Sequence, residues 1–448
     1  MSPASRRPLL RISLALVGLA CALVAARADN APATRDYGLD EATSDIFPKY
    51  RTLVDAKDYN GALAILNARL VKVPPDSYDA AMLYQIIAQT LINKGDFSAS
   101  VAPLEKGLEL SDSKNPTYFD ERVTRELVYF LASLYLQEAV QTKDLKVASS
   151  YYAKGDKAMA RWLSLAKKTT PEAQLIYAQL LYNWAVQDPE HINEDLVKRA
   201  LVLVDGALHL STHPKDTLYI YKMACLQQLG KTEELGEVLE LVVRMKPDSG
   251  AYWQQLASCY LQEDKPLRAA LTFERAQAHG QLIAPKDYFN LVGIYFNMGE
   301  YAKAAELLSA DLRSGRIEND LKNWELLAAA YQQLDRPYKQ IDALQEAVKS
   351  FPTSGQLEFN IGQAYNSLEK PEEALPHLQA AVAKGNLTKP HVAYLLLAYV
   401  GYQLKKYDIA LDAAKHAAEF PEGARDGKNM IKAIDDIVKE REAKKNKA

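Results

Sequence analysis

One pattern recurs through most of this chain. Large and small apolar residues return at fixed spacing about every 34 residues. The clearest copy has Trp253, Leu256, Ala257 and Tyr260, then Ala269, Phe273 and Ala276. The next holds Tyr288, Leu291, Tyr295, Ala304 and Leu308. Trp324, Leu327, Ala328, Tyr331, Leu344, Ala347 and Pro352 form another. Ile361, Gly362, Tyr365, Ala374, Leu378 and Ala381 follow, then Tyr394, Leu397, Ala398, Ala410 and Ala417. Upstream stand Tyr84, Ile87, Ala88 and Leu104, then Tyr219, Leu239 and Pro247. Leu53, Ala62, Leu66 and Pro74 form a degenerate first copy.

Spacings of i, i+3, i+4 and i+7 give each of two helices one apolar face. Small residues such as Ala257 and Ala269 let the pair approach, and rings at Tyr260 or Phe273 fill the space towards a neighbour. One hairpin cannot bury its face alone, so the units must stack. Pro266, Pro337 and Pro371 share one repeat position, the expected start of a second helix, where a missing N–H costs nothing. Gly95, Gly230 and Gly299 stand two residues before that position, where a first helix must end.

Two units depart from the pattern. Leu131, Ala132 and Tyr135 are separated from Ala158 and Trp162 by extra residues that predict two lengthened helices. Tyr177, Leu180, Leu181 and Trp184 are separated from Ala200, Val204 and Ala207 by an insertion containing Asp188, Pro189, Glu190 and His191, read as an enlarged loop.

The first residues read as an address. Arg6, Arg7 and Arg11 precede an apolar run from Ile12 to Ala26 that is too short for a comfortable membrane span. Ala26-Arg27-Ala28 fits a signal-peptidase site, so a mature chain starting at Asp29 is expected. General secretion fits the strongly apolar core, although the paired arginines leave twin-arginine export open. An uncleaved anchor or a lipidated Cys21 are the other readings. The organisation expected is a signal peptide over 1–28, a linker over 29–43 and N-terminal repeats over 44–114. Atypical repeats follow over 115–214, then a regular array over 215–425 and a capping helix with a basic tail over 426–448.

The spacing W-x2-L-A-x2-Y followed by A-x3-F-x2-A resembles the tetratricopeptide repeat, although Gln281 stands at its closing proline position. That resemblance implies an all-α, right-handed superhelical solenoid of about ten hairpins with a terminal capping helix. In this family the first helices line a concave groove. Carrying its positions over gives Gln85, Gln89 and Asn93, then Gln227, Gln228, Gln254 and Gln262. Phe289, Phe296 and Asn297 come next, then Glu325, Gln332 and Gln333. Gln356, Phe359, Gln363 and Asn366 follow, and Tyr399, Tyr402 and Gln403 end the row. Amides donate and accept at once, so such a row suits the backbone of an extended peptide, or a partner helix, with rings as anchors. The lysine pair by which some relatives grip a C-terminal carboxylate is missing.

A narrower resemblance covers roughly residues 252–421. The stretches NWELLAAAYQQLDRPYKQIDALQEAV and FNIGQAYNSLEKPEEALPHLQAAVAKGNL are similar to periplasmic tetratricopeptide proteins that accompany TonB–ExbB–ExbD energy-transduction systems. It implies a non-enzymatic periplasmic scaffold with protein partners, TonB, ExbB or ExbD components among them. The alternative is an assembly or secretion factor for outer-membrane proteins or exopolysaccharide.

Chemistry is sparse. Lys and Arg total 54 against 57 Asp and Glu, without the basic surplus that a nucleic-acid face needs. Gly230-Lys231-Thr232 looks like the end of a phosphate loop, but Cys225 stands where its first glycine should. His209 and His213 are four apart with no third ligand at a fixed spacing, so no metal is expected. No catalytic motif, cofactor or small-molecule substrate is implied. Cys225 and Cys259 fall at equivalent positions of consecutive units. Stacked helices place such positions about 8–10 Å apart, and a disulfide needs about 7 Å or less. Two buried thiols are expected, while export leaves oxidation open.

Overall fold

The computed structural model describes residues 37–445, with side chains to residue 439. The signal-peptide reading and the cleavage between Ala28 and Asp29 lie outside the described residues. The chain divides into two compact units, Met1–Thr169 and Thr170–Ala448.

In the first unit a single turn, α1 (Glu41–Ser44), precedes three hairpins. These are α2 (Phe47–Asp55) with α3 (Tyr59–Leu70), α4 (Tyr78–Lys94) with α5 (Phe97–Asp112), and α6 (Glu121–Gln141) with α7 (Leu145–Leu165). The second unit holds seven more. They are α8 (Pro171–Ala185) with α9 (Glu194–Leu210), α10 (Asp216–Gln228) with α11 (Thr232–Met245), and α12 (Gly250–Gln262) with α13 (Pro266–Ala278). Then come α14 (Pro285–Asn297) with α15 (Tyr301–Ser314), α16 (Leu321–Gln333) with α17 (Pro337–Ser350), α18 (Gly355–Ser367) with α19 (Pro371–Lys384), and α20 (Pro390–Gln403) with α21 (Tyr407–Glu419). The last helix, α22 (Ala424–Lys445), closes the unit. Within each unit helices pack on their neighbours in sequence, so the expected all-α repeat solenoid is found. Among the described residues there is no strand. α6 and α7 run 21 residues each, against 13 in α12 and α13.

The core follows the repeat. Leu256, Leu291, Leu308 and Leu327 are each at most 2% exposed, and Ala269, Ala276 and Ala347 are fully buried. Rings do more than fill space. The Tyr260 hydroxyl donates to Glu240 Oε1 at 2.6 Å, across to α11, and Tyr295 donates to Glu274 Oε1 at 2.9 Å, across to α13. In the first unit Tyr135 donates to Glu105 of α5. Burial, and then the glutamate bond, pushes the Tyr260 and Tyr295 phenols up to about 12.

Prolines open α13, α17 and α19, at the first turn where the ring is tolerated. Just before them lies a turn that eight hairpins share. Gly95, Gly230 and Gly299 have positive φ, and so do Lys57, Asp264, Asp335, Glu369 and Lys405 in the corresponding place. The next residue's N–H reaches back to a carbonyl five residues earlier. Lys265 donates to Tyr260, Arg336 to Tyr331 and Lys370 to Tyr365 at 2.8–3.0 Å. This 6→1 bond satisfies a carbonyl left over at the helix end. The left-handed conformation is free for glycine and costs other residues about 1–2 kcal/mol. Lys405 is exposed, and Lys405→Gly should stabilise the C-terminal hairpins by about 0.5–1 kcal/mol after glycine's unfolded-chain entropy is subtracted. A calorimetric melting temperature checks this, and a fall would refute it.

The terminal helix docks through missing side chains. A Cβ on Gly427 would lie 2.8 Å from the Ala414 carbonyl and 2.9 Å from Ala418 Cβ. α22 therefore lies close on α21 and buries Ile434 completely.

Candidate peptide-binding face

Counting back from each turn residue puts the first helices of the second unit in a common register. Three residues before the turn stand Gln227, Leu261, Phe296, Gln332, Asn366 and Tyr402. Six before it stand Ala224, Ser258, Gly293, Ala329, Gln363 and Tyr399. The apolar faces of these helices are turned into the stack, and none of the residues in these rows is fully buried.

Gln227, Gln254, Gln262, Asn297, Gln332, Gln333 and Gln363 are exposed. The side chains of Gln254, Gln332 and Gln363 make no hydrogen bond among the described residues, so their amides are open to a ligand. Phe289 is 38% exposed and Tyr399 43%. Those two rings are open to solvent. The other rings are engaged in packing. Phe296 meets Tyr301 edge-on, with centroids 5.1 Å apart, and Tyr402 meets Tyr407 at 6.2 Å. Phe359 and Tyr402 also pack against the C-terminal core. Gln228 and Asn366 are half-buried. Gln403 Nε2 donates to the Tyr399 hydroxyl at 2.9 Å. Gln356 bonds Asn360 at 2.9 Å and accepts from the Thr388 N–H at 3.0 Å, so its amide is occupied.

Gln85, Gln89 and Asn93 lie on α4 in the first unit. Gln89 Nε2 donates to Asn93 Oδ1 at 3.1 Å, and Gln85 is half-buried with Oε1 unpartnered.

Two features escaped the sequence reading. Leu261 is 46% exposed in the middle of the amide row. Small residues at the position of Ala224, Ser258, Gly293 and Ala329 leave the face shallow there. A Cβ on Gly293 would meet nothing within 4 Å. Shared register with Gln332 and Gln363 was the signal that could have found both. Charge is thin: Lys286 and Lys322 are exposed, and Glu325 is half-buried. Burial, then the nearby Asp320, pushes the Glu325 carboxyl up.

Cys225 and Cys259 are buried and free. Burial, then Asp205, pushes the Cys225 thiol up to about 12, which opposes thiolate chemistry. Among the described residues no group of three or more His, Cys, Asp or Glu side chains is placed to hold a metal. No described helix is long and apolar enough to cross a membrane.

No protein-family model and no curated protein matches the sequence. Solved structures do resemble it locally. MamA from Desulfovibrio magneticus RS-1 is 17% identical over 40% of this chain and 97% of its own, with a TM-score of 0.31. YrrB, a TPR protein with an unusual peptide-binding site, is 16% identical over 43% of this chain and 99% of its own, with a TM-score of 0.33. The APC/C hetero-tetramer Cut9–Hcn1 is 14% identical over 88% of this chain and 90% of its own, with a TM-score of 0.27.

Proposed function

We propose that this protein is a non-enzymatic scaffold that holds an extended segment of a partner protein on the first-helix face of its second unit. The observation that carries this reading is three exposed amides without side-chain partners on successive first helices, Gln254, Gln332 and Gln363, with Phe289 between the first two and Tyr399 beyond the last. An extended backbone offers alternating donors and acceptors that such amides match, and two rings supply apolar anchorage. The narrower proposal is an exported accessory of a TonB-dependent envelope complex, supported by the resemblance over residues 252–421.

Crosslinking in the native envelope followed by mass spectrometry tests the narrower reading. Recovery of TonB, ExbB or ExbD components is expected, and their absence overturns it. The face itself is tested with the captured partner. Gln254, Gln332 and Gln363 replaced together by alanine should weaken binding at least about tenfold, since each lost hydrogen bond removes about 0.5–1.5 kcal/mol. Far-ultraviolet circular dichroism should stay unchanged. Undiminished affinity with intact helicity would sink the assignment of the site.

A further inference from the structure

The candidate face carries one carboxylate that nothing on it answers. Glu325 stands on α16 ten residues before the turn, level with the exposed Phe289 ring on α14 and the half-buried Phe359 ring on α18. Its carboxylate has no hydrogen bond and no ion pair among the described residues, and both oxygens keep contact with solvent. Half-burial, then Asp320, opposes its ionisation, and no cation offsets them. A carboxylate in that state gains from a cation that reaches it.

The chain's own lysines are poorly placed to be that cation. Lys286 and Lys322 are exposed at the starts of α14 and α16, and neither forms an ion pair among the described residues. Lys322 precedes Glu325 by three residues on one helix. A helix favours the reverse order, with glutamate before lysine. Asp320, the nearest carboxylate, is turned to its own helix and accepts from the Lys322 and Asn323 N–H groups.

A guest meets little obstruction. Gly293 and Ala329, one turn further along α14 and α16, carry little side chain, and a Cβ on Gly293 would meet nothing within 4 Å. The Phe289 ring offers its face to a positive head and apolar surface to an aliphatic stem. A long basic side chain has both parts. We propose that the bound partner segment places a lysine or arginine side chain on Glu325, beside Phe289. This deepens the peptide-binding reading above and rests on it.

Methyl-detected NMR titration of the full chain tests it, with the Ala329 methyl as reporter. The probes are acetyl-Ala-Gln-Lys-Gln-Ala-amide, its arginine, acetyl-lysine and glutamate counterparts, and n-butylammonium as a bare cation. The lysine and arginine peptides should shift Ala329 saturably. The acetyl-lysine peptide should bind at least about threefold more weakly, and the glutamate peptide should cause no saturable shift. Glu325→Gln should remove the preference for lysine, with a melting temperature unchanged or raised because an unpaired half-buried charge is lost. Lys322→Ala should leave the lysine-peptide affinity unchanged or raise it. No saturable shift with the lysine peptide, equal binding of the acetyl-lysine peptide, or a preference that survives Glu325→Gln would overturn the proposal. n-Butylammonium binding as tightly as the peptide would overturn a protein segment as its source. Loss of the lysine preference concerns Glu325 alone, whereas overall affinity in the alanine variant of Gln254, Gln332 and Gln363 concerns the amides, so either reading can fail without the other.

Discussion

Gly355→Ala is expected to cost the ninth hairpin about 3 kcal/mol. The added methyl would sit 2.0 Å from the Gly385 carbonyl oxygen and 2.6 Å from that of Ala381. Both obstacles are backbone at the end of α19, where the Gly385 N–H donates to the Ala381 carbonyl at 3.0 Å. No flexible side chain can yield, so α18 and α19 must separate. Overpacking a fitted contact costs about 1–3 kcal/mol, and a backbone obstacle places this case at the upper end. Repeat arrays are coupled mainly through nearest neighbours. Amide hydrogen exchange should therefore accelerate in α18 and α19 while α12 and α13 keep their protection. The contrast is Gly293→Ala, whose methyl meets nothing within 4 Å. A helix-interior alanine there should leave protection unchanged or raise it by about 0.5–1 kcal/mol. Unchanged exchange in Gly355→Ala would refute the contact.

These two glycines mark the boundary of what the sequence disclosed. The helical hairpins were legible because their information is periodic. Leu256, Ala269 and Phe273 recur at fixed spacing, and the burial they predict is found. Turn glycines were legible for the same reason, but the turn's conformation was hidden wherever Asp264, Asp335, Glu369 or Lys405 fills it. The stack requires the left-handed turn there, and the hairpin's packing offsets the strain. Polar ties between neighbouring hairpins were also invisible. Nothing local in Tyr260 or Glu240 says that they meet, because their contact depends on how one hairpin stacks on the next. On the candidate face, exposure of Gln227 and Gln332 followed from helical register. Phe296 and Tyr402 share that register but turn into Tyr301 and Tyr407, a choice made by the aromatic residues opening the following helices.

Lys384→Met is expected to have an effect of similar size with a distinctive pH dependence. Eleven residues before the turn, other first helices carry Trp253, Tyr288, Trp324 or Tyr394, but α18 carries Glu358, which is 7% exposed. Its carboxylate accepts from Lys384 Nζ at 2.6 Å and bonds His377 Nδ1 at 2.7 Å. The His377 ring stacks on Tyr365 with centroids 5.7 Å apart, so the cluster occupies space that a ring fills in sister hairpins. Burial pushes the Glu358 carboxyl up, but the hydrogen bonds from His377 and Lys384, with their charge, outweigh it and hold it below the usual glutamate range. A lowered carboxyl pKa contributes stability above the ordinary glutamate value, and that contribution is lost as pH falls through the folded value. Removing one partner of a buried pair costs about 3–5 kcal/mol, and the remaining His377 keeps the loss near 3 kcal/mol at pH 7. In the variant the carboxyl keeps its burial and loses a cation, so its pKa rises. The gap between the two proteins should therefore narrow as pH falls, first as the variant's carboxyl becomes neutral, and close once the wild-type carboxyl, held below the ordinary value of about 4.3, is neutral too. Hydrogen exchange in α18 and α19 at pH 7 and pH 4 measures the gap. A gap equally wide at both values would show that Lys384 acts through its aliphatic stem, because packing does not titrate.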